Sequence, residues 1–179
     1  MTQKKAAHNG ATVTKKRHKD NAIFQLRQLY LTKHYEKLPS IPEYARCTPL
    51  YQQRTSNGLT RCVLDWLRLS GHQAERISNT GRLIDGTKVV TNCLGFKHRI
   101  GSVHYIKGSG TNGTAEVSST IAGRSVKIEI KLGADRQSAA QRRYQADVER
   151  SGGVYLIVHD FQSFLSWYEL FMSGLNNGR

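Results

Sequence analysis

Hydrophobic positions along this chain recur at two spacings, and the spacing separates helices from strands. Between residues 21 and 36, Ile23, Leu26, Leu29 and Tyr30 fall three or four apart, which places them on one helix face. Pro39 and Pro42 then interrupt the pattern, and residues 37–56 read as loop or short turns. A stronger helix follows, with Ser56 or Asn57 as its cap, an apolar stripe of Leu59, Val63, Trp66, Leu67 and Leu69, and Gly71 as its stop. Gln73–Ile77 reads as a strand and Asn79-Thr80-Gly81 as a turn. Residues 82–112 are the least patterned. Thr87–Asn92 fits an extra strand, and Lys97, His98, Arg99, His104 and Lys107 alternate loosely with Ile100, Val103, Tyr105 and Ile106. A glycine-rich loop, Gly108 to Gly113, closes that region.

The clearest period-two stretch comes next. Val126, Ile128 and Ile130 point to one side of a strand, and Lys127, Glu129 and Lys131 to the other. Gly123 sits where the chain must reverse, so Thr114–Ile121 and Ser125–Leu132 are expected to form a hairpin. Glu129 and Lys131 then share a sheet face, roughly 7 Å apart along the strand, and Glu116 on the partner strand can face them. Gln137–Ser151 reads as a helix with Ala140, Tyr144 and Val148 on one stripe and Gln141 and Gln145 on its neighbour. Gly152-Gly153 stops it. Val154–Val158 is uniformly apolar, as a strand covered on both faces is. Phe161–Met172 closes the chain as an amphipathic helix whose Phe164, Leu165, Tyr168 and Phe171 face a core or a second copy.

Composition narrows the class of partner. In 179 residues, 27 Lys and Arg oppose 13 Asp and Glu, a net charge of +14. A polyanion, nucleic acid above all, is the expected partner. No apolar run approaches a membrane span, and the first residues lack the apolar core of a signal peptide, so a cytoplasmic protein with no membrane partner is expected. Cys47, Cys62 and Cys93 show no C-x-x-C spacing, and reduced thiols are the expected state. Residues 1–20 carry six Lys and Arg against Asp20, which reads as a mobile basic arm or a solubilising tail.

The ordered set of Gly113-Thr114-Ala115-Glu116, Ile128-Glu129-Ile130-Lys131, Gln141 within the following helix, and Gly152-Gly153-Val154-Tyr155 resembles the PD-(D/E)xK nuclease superfamily. Within it, the chain is most similar to the virus-type replication-repair nuclease (VRR-NUC) and Holliday-junction-resolvase-like group, over roughly residues 57–170. A lone E-x-K is uninformative; the ordered set is much more specific. The resemblance implies an α/β fold of the α+β kind, a restriction-endonuclease-like αβββαβ core with a mixed four-stranded sheet flanked by helices. It divides the chain into a disordered basic arm (1–20), a helical extension (21–56), the nuclease-like domain (57–173) and a short tail (174–179).

The same resemblance implies a Mg²⁺- or Mn²⁺-dependent deoxyribonuclease. Glu116 and Glu129 would ligate the metal together with the Ile130 carbonyl. Lys131 would orient or deprotonate the attacking water, and Gln141 would position Lys131 or that water. Arg76 would lie near the scissile phosphate, and Lys107, Arg136 and Arg142 would hold DNA backbone. Paired cuts would call for a homodimer, and end-directed cuts for a monomer. The chain departs from the family by carrying Glu116 where Asp is usual, one methylene longer. It also lacks the acid of the opening helix, for which Asn57 and Asp65 are the nearest substitutes.

Two other readings stay open. One is a basic nucleic-acid-binding protein with a degenerate nuclease fold, in which Glu116, Glu129 and Lys131 form a cross-strand ion-pair cluster without a metal. The other is a membrane-surface or RNA-binding protein, which accounts for the charge but not for that set.

Overall fold

The structure is a computed structural model describing residues 7–78, 81–106, 108 and 110–176. Its elements in chain order are α1 (Ala7–Tyr35), α2 (Ser56–Leu69), β1 (Gln73–Arg76), β2 (Arg82–Asp85), β3 (Lys88–Thr91), β4 (Lys97–Ile100), β5 (Val103–Ile106), β6 (Val117–Ile121), β7 (Arg124–Ile130), α3 (Ala139–Arg150), β8 (Val154–Val158) and α4 (Phe161–Asn176). The fold is mixed α+β. Four strands form one mixed sheet in the order β1-β6-β7-β8, antiparallel except for the parallel pair β7–β8.

Register explains which residues go inside. Val117 pairs with Ile128 and Ser119 with Val126, so the alternate residues of β6 and β7 share a face. That face carries Val117, Ile121, Val126, Ile128 and Ile130, all buried. Helices α2 and α4 cover it with Leu59, Val63, Leu67, Phe161, Phe164 and Leu165, and α1 packs on those two helices, burying Leu26 in the same core. Helix α3 lies over the opposite face, where Tyr144 meets Tyr155 edge-on at 6.3 Å. The β6–β7 turn has two residues, Ala122 (φ 47°) and Gly123 (φ 83°). Two positive φ values in sequence match the twist of the strands they join.

The expected elements recur with altered ends. The cap of α2 is Thr55, whose hydroxyl accepts the Gly58 N–H at 3.1 Å, rather than Ser56 or Asn57. Strand β6 starts at Val117, three residues later than expected, and Gly113 ahead of it lies against the start of α3. Helix α1 begins at Ala7, inside the segment expected to be an arm, and residues 1–6 of that segment lie outside the described residues. The 21–56 extension shares the central core through Ala22, Leu26 and Tyr51. The Asn79-Thr80 part of the expected turn lies outside the described residues, as do Lys107 and residues 177–179. Among the described residues no helix is long and apolar enough to cross a membrane.

At the α2–α4 boundary, a ring nitrogen of His72 lies 2.8 Å from the Tyr168 hydroxyl, and burial pulls the imidazole below its ordinary value. The unfolded chain therefore takes up a proton at higher pH than the fold does. The His72 contribution to stability is complete above the unfolded value of about 6.5 and is lost as pH falls from there through the lower folded one. Urea midpoints measured between neutral and mildly acidic pH are expected to fall more steeply for the native chain than for His72→Gln; equal slopes would remove the assignment.

Candidate active site

The candidate site lies where β6 begins and β7 ends, the same end of two antiparallel neighbours. Continuing their register one step past the Val117–Ile128 pair sets Glu116 opposite Glu129. The Ile77 N–H bonds to the Glu116 carbonyl at 2.8 Å, which ties the same point to the end of β1. The first turns of α2 and α3 complete the surroundings.

Glu129 and Lys131 are both buried, at 6% and 7% exposure. Charged groups this deep need partners, because desolvation costs several kcal/mol per ion. The Lys131 ammonium lies 3.2 Å from Glu129 Oε1 and 3.4 Å from Asp135 Oδ2. Burial pushes the Glu129 carboxyl above the usual carboxylate range; the Lys131 ammonium opposes that shift and the Glu116 charge adds to it. The Lys131 backbone is pinned on the β8 side, its N–H donating to the Val158 carbonyl at 3.0 Å and its carbonyl lying 2.9 Å from a ring nitrogen of His159. Backbone groups alternate along a strand, so the Ile130 carbonyl is directed to the β6 side, where the continued register sets Ala115 opposite.

Gln141 is fixed at both ends of its amide. The oxygen accepts the Ser138 N–H at 2.9 Å while the Ser138 hydroxyl accepts the Gln141 N–H, a complete capping box at the start of α3. The amide nitrogen donates to Glu129 Oε1. Gln141 therefore holds Glu129 in place, where the resemblance implies a hold on Lys131 or a water.

Glu116 is anchored separately. One carboxylate oxygen accepts from the Thr60 hydroxyl at 2.8 Å and from Arg76 at 2.7 Å, and the other accepts from the Ser56 hydroxyl at 3.3 Å. The same Arg76 nitrogen donates to Asn57 Oδ1 at 2.7 Å. The two carboxylates thus sit in adjoining clusters. Thr60 and Ser56 on one side and Asp135 on the other were not among the expected site residues. Only Ser138-x-x-Gln141, a spacing typical of helix starts, was open to detection from the chain itself.

The remaining candidates are dispersed. Arg76 lies in the site but is ion-paired with Glu116. Asn57 reaches it only through Arg76, and Asp65 instead accepts from the buried Tyr51 hydroxyl at 3.0 Å. Arg136 and Arg142 are exposed between β7 and α3 and on α3, with Arg142 donating to the Gln137 carbonyl at 2.8 Å. Lys107 lies outside the described residues.

Among the described residues no group of three or more His, Cys, Asp or Glu side chains forms a metal-holding cluster. The sheet register sets two carboxylates, Glu116 and Glu129, opposite each other. That set suits a hard cation such as Mg²⁺, which commonly takes one or two carboxylates and keeps waters.

One glycine holds the site together. Gly113 has φ 83° and lies so close to α3 that an added Cβ would collide with the Ala140 carbonyl and the Gln141 N–H. Gly113→Ala is expected to cost about 1–3 kcal/mol through backbone strain, with a further loss from the clash. Gly123→Ala, at φ 83° with open space around it, is expected to cost less; urea denaturation of both variants compares them.

Comparison of the chain with protein-family models and with curated proteins finds no match.

Proposed function

We propose that this chain is a metal-dependent DNA endonuclease of the PD-(D/E)xK type. The observation that carries the reading is the buried Lys131–Glu129–Gln141 chain of contacts lying across from Glu116 at one sheet end. A buried ion pair is weak evidence for stability alone, and a carboxyl perturbed by burial together with a specific charge partner marks a functional-site candidate. The order of helix, three antiparallel strands, helix and parallel strand supports the same reading, as does the net charge of +14.

Glu116, Glu129 and the Ile130 carbonyl would hold Mg²⁺ or Mn²⁺, which when bound would supply Lewis-acid polarisation of a phosphate oxygen and a more acidic bound water. The protein's own groups do the remaining work. Gln141 orients the Glu129 carboxylate through an amide that cannot rotate without breaking the α3 cap. Lys131 presents an ammonium that orients the attacking water and balances charge gathering on the phosphate. Arg76 and Thr60 hold Glu116 facing the site. Arg136 and Arg142 offer phosphate contacts beside it.

A second reading is a DNA-binding protein without catalysis. It is favoured by the Glu116 carboxylate, whose two oxygens are already engaged by Ser56, Thr60 and Arg76. The discriminating experiment incubates the purified chain with supercoiled plasmid, linear duplex and four-way junction DNA. Mg²⁺, Mn²⁺ and excess chelator are compared. Cleavage that requires the metal supports the endonuclease. Equal cleavage in chelator refutes the metal-dependent mechanism, and binding without cleavage of any substrate leaves the second reading.

A further inference from the structure

We infer that residues 82–106 form a β-ribbon arm that lies against duplex DNA through one of its two faces. β2 pairs with β5, and β3 with β4, in one unbroken register: Arg82 opposes Ile106, Ile84 opposes His104, Lys88 opposes Ile100 and Val90 opposes His98. Between the two ladders the Gly86 N–H bonds to the Ser102 carbonyl at 3.1 Å, which keeps that register. Gly101, at φ 92°, makes the crossing possible, since a Cβ there would strike the Gly86 carbonyl. The result is a single two-stranded ribbon, about 30 Å long at ~3.3 Å per residue.

Its two faces differ. One presents Arg82, Lys88, His98 and His104 interleaved with Ile84, Val90, Ile100 and Ile106, and carries no carboxylate. The other carries the ribbon's acid, Asp85, which pairs with Arg99 at 3.5 Å and accepts from Thr87. Large apolar side chains such as Val90, Ile100 and Ile106 are 44–53% exposed. A two-stranded ribbon fits the duplex major groove, where cations meet phosphates and aliphatic groups meet thymine methyls and sugars. A second copy fits this face poorly. A symmetric pairing would bring together two faces that both carry Arg82 and Lys88 and offer no carboxylate to either.

Position strengthens the assignment. The ribbon leaves the sheet after β1, which ends at Arg76, and returns ahead of Glu116. Both ends of the ribbon thus connect in sequence to segments that lead into the candidate site, and an arm so connected would hold a duplex across it. This rests on the nucleic-acid reading of that site.

The test measures binding of a labelled duplex to the full chain in excess chelator over a range of salt concentrations. Arg82→Gln/Lys88→Gln is expected to reduce the slope of log K against log salt by about 1.8, at ~0.9 per phosphate contact, with affinity falling accordingly. Lys97→Gln, on the other face, is expected to leave the slope unchanged. An unaltered slope in the double variant would overturn the ribbon assignment while leaving the endonuclease reading intact. Native protein that binds in chelator but never cuts with Mg²⁺ would remove the endonuclease and keep the ribbon. Native protein that binds no duplex would overturn both. A solution mass that drops from dimer to monomer in Val90→Ser/Ile100→Ser, with an unaltered slope in the double variant, would make this face an interface between copies.

Discussion

Lys131→Ala is expected to lower Mg²⁺-dependent cleavage by about 10²–10⁴-fold, the usual worth of a positioned proton-transfer group, while duplex affinity stays within a few-fold. The asymmetry follows from burial. The Lys131 side chain is 9% exposed and faces Glu129, so it displaces few counterions, whereas exposed arginines supply the salt-dependent part of binding. Glu129→Gln is expected to do the same, because it keeps the shape of the side chain but removes the charge a divalent cation needs. Neither variant should unfold the protein. Breaking a buried pair can cost ~3–5 kcal/mol, but each remaining partner keeps a contact: Gln141 still donates to Glu129 in Lys131→Ala, and Lys131 still faces Asp135 in Glu129→Gln. Lys131→Met retains the methylenes and serves as the folding control. Single-turnover cleavage and chelated binding measure the two quantities. Full activity in Lys131→Ala would remove the residue from the mechanism.

The second large effect is on folding. Phe161→Ala is expected to destabilise the chain by ~3–5 kcal/mol, the sum of lost transfer energy and the cavity left behind. Phe161 is fully buried at the start of α4, its ring centroid 5.8 Å from Phe164 and 6.1 Å from Trp66. Its N–H donates to the Gln53 side chain at 2.9 Å, which joins α4 to the segment before α2. Alanine keeps that N–H, so the loss falls on the ring contacts with Trp66 of α2 and Phe164 of α4. Leu170→Ala, on the same helix but 72% exposed, is expected to change stability by no more than ~0.5 kcal/mol. Urea denaturation of the pair tests this, and comparable midpoints would contradict the assigned core.

Legibility followed periodicity. The stripe of Leu59, Val63 and Leu67, the alternation of Val126, Ile128 and Ile130, and the apolar run of Val154–Val158 each stated its element and its buried side. The ribbon gave no such signal beyond Thr87–Asn92, because both its faces mix aliphatic and basic residues and no period-two contrast survives. Helix α1 begins earlier than its apolar stripe, which starts at Ile23. In the site, the closeness of Glu129 and Lys131 was legible from a spacing of two. The place of Gln141 rested on family resemblance, although its capping spacing with Ser138 was there to read.

What the chain determined unaided is local: strand faces, helix faces, turns at glycine and a strong positive charge. All follow from backbone geometry repeating every two or 3.6 residues. What tertiary structure decided is which distant side chains satisfy the buried charges. Glu116 is held by Ser56 and Thr60, 60 and 56 residues away, and by Arg76, 40 away. No periodicity encodes those pairings, since they arise only when sheet register and helix docking bring separate segments within hydrogen-bond distance.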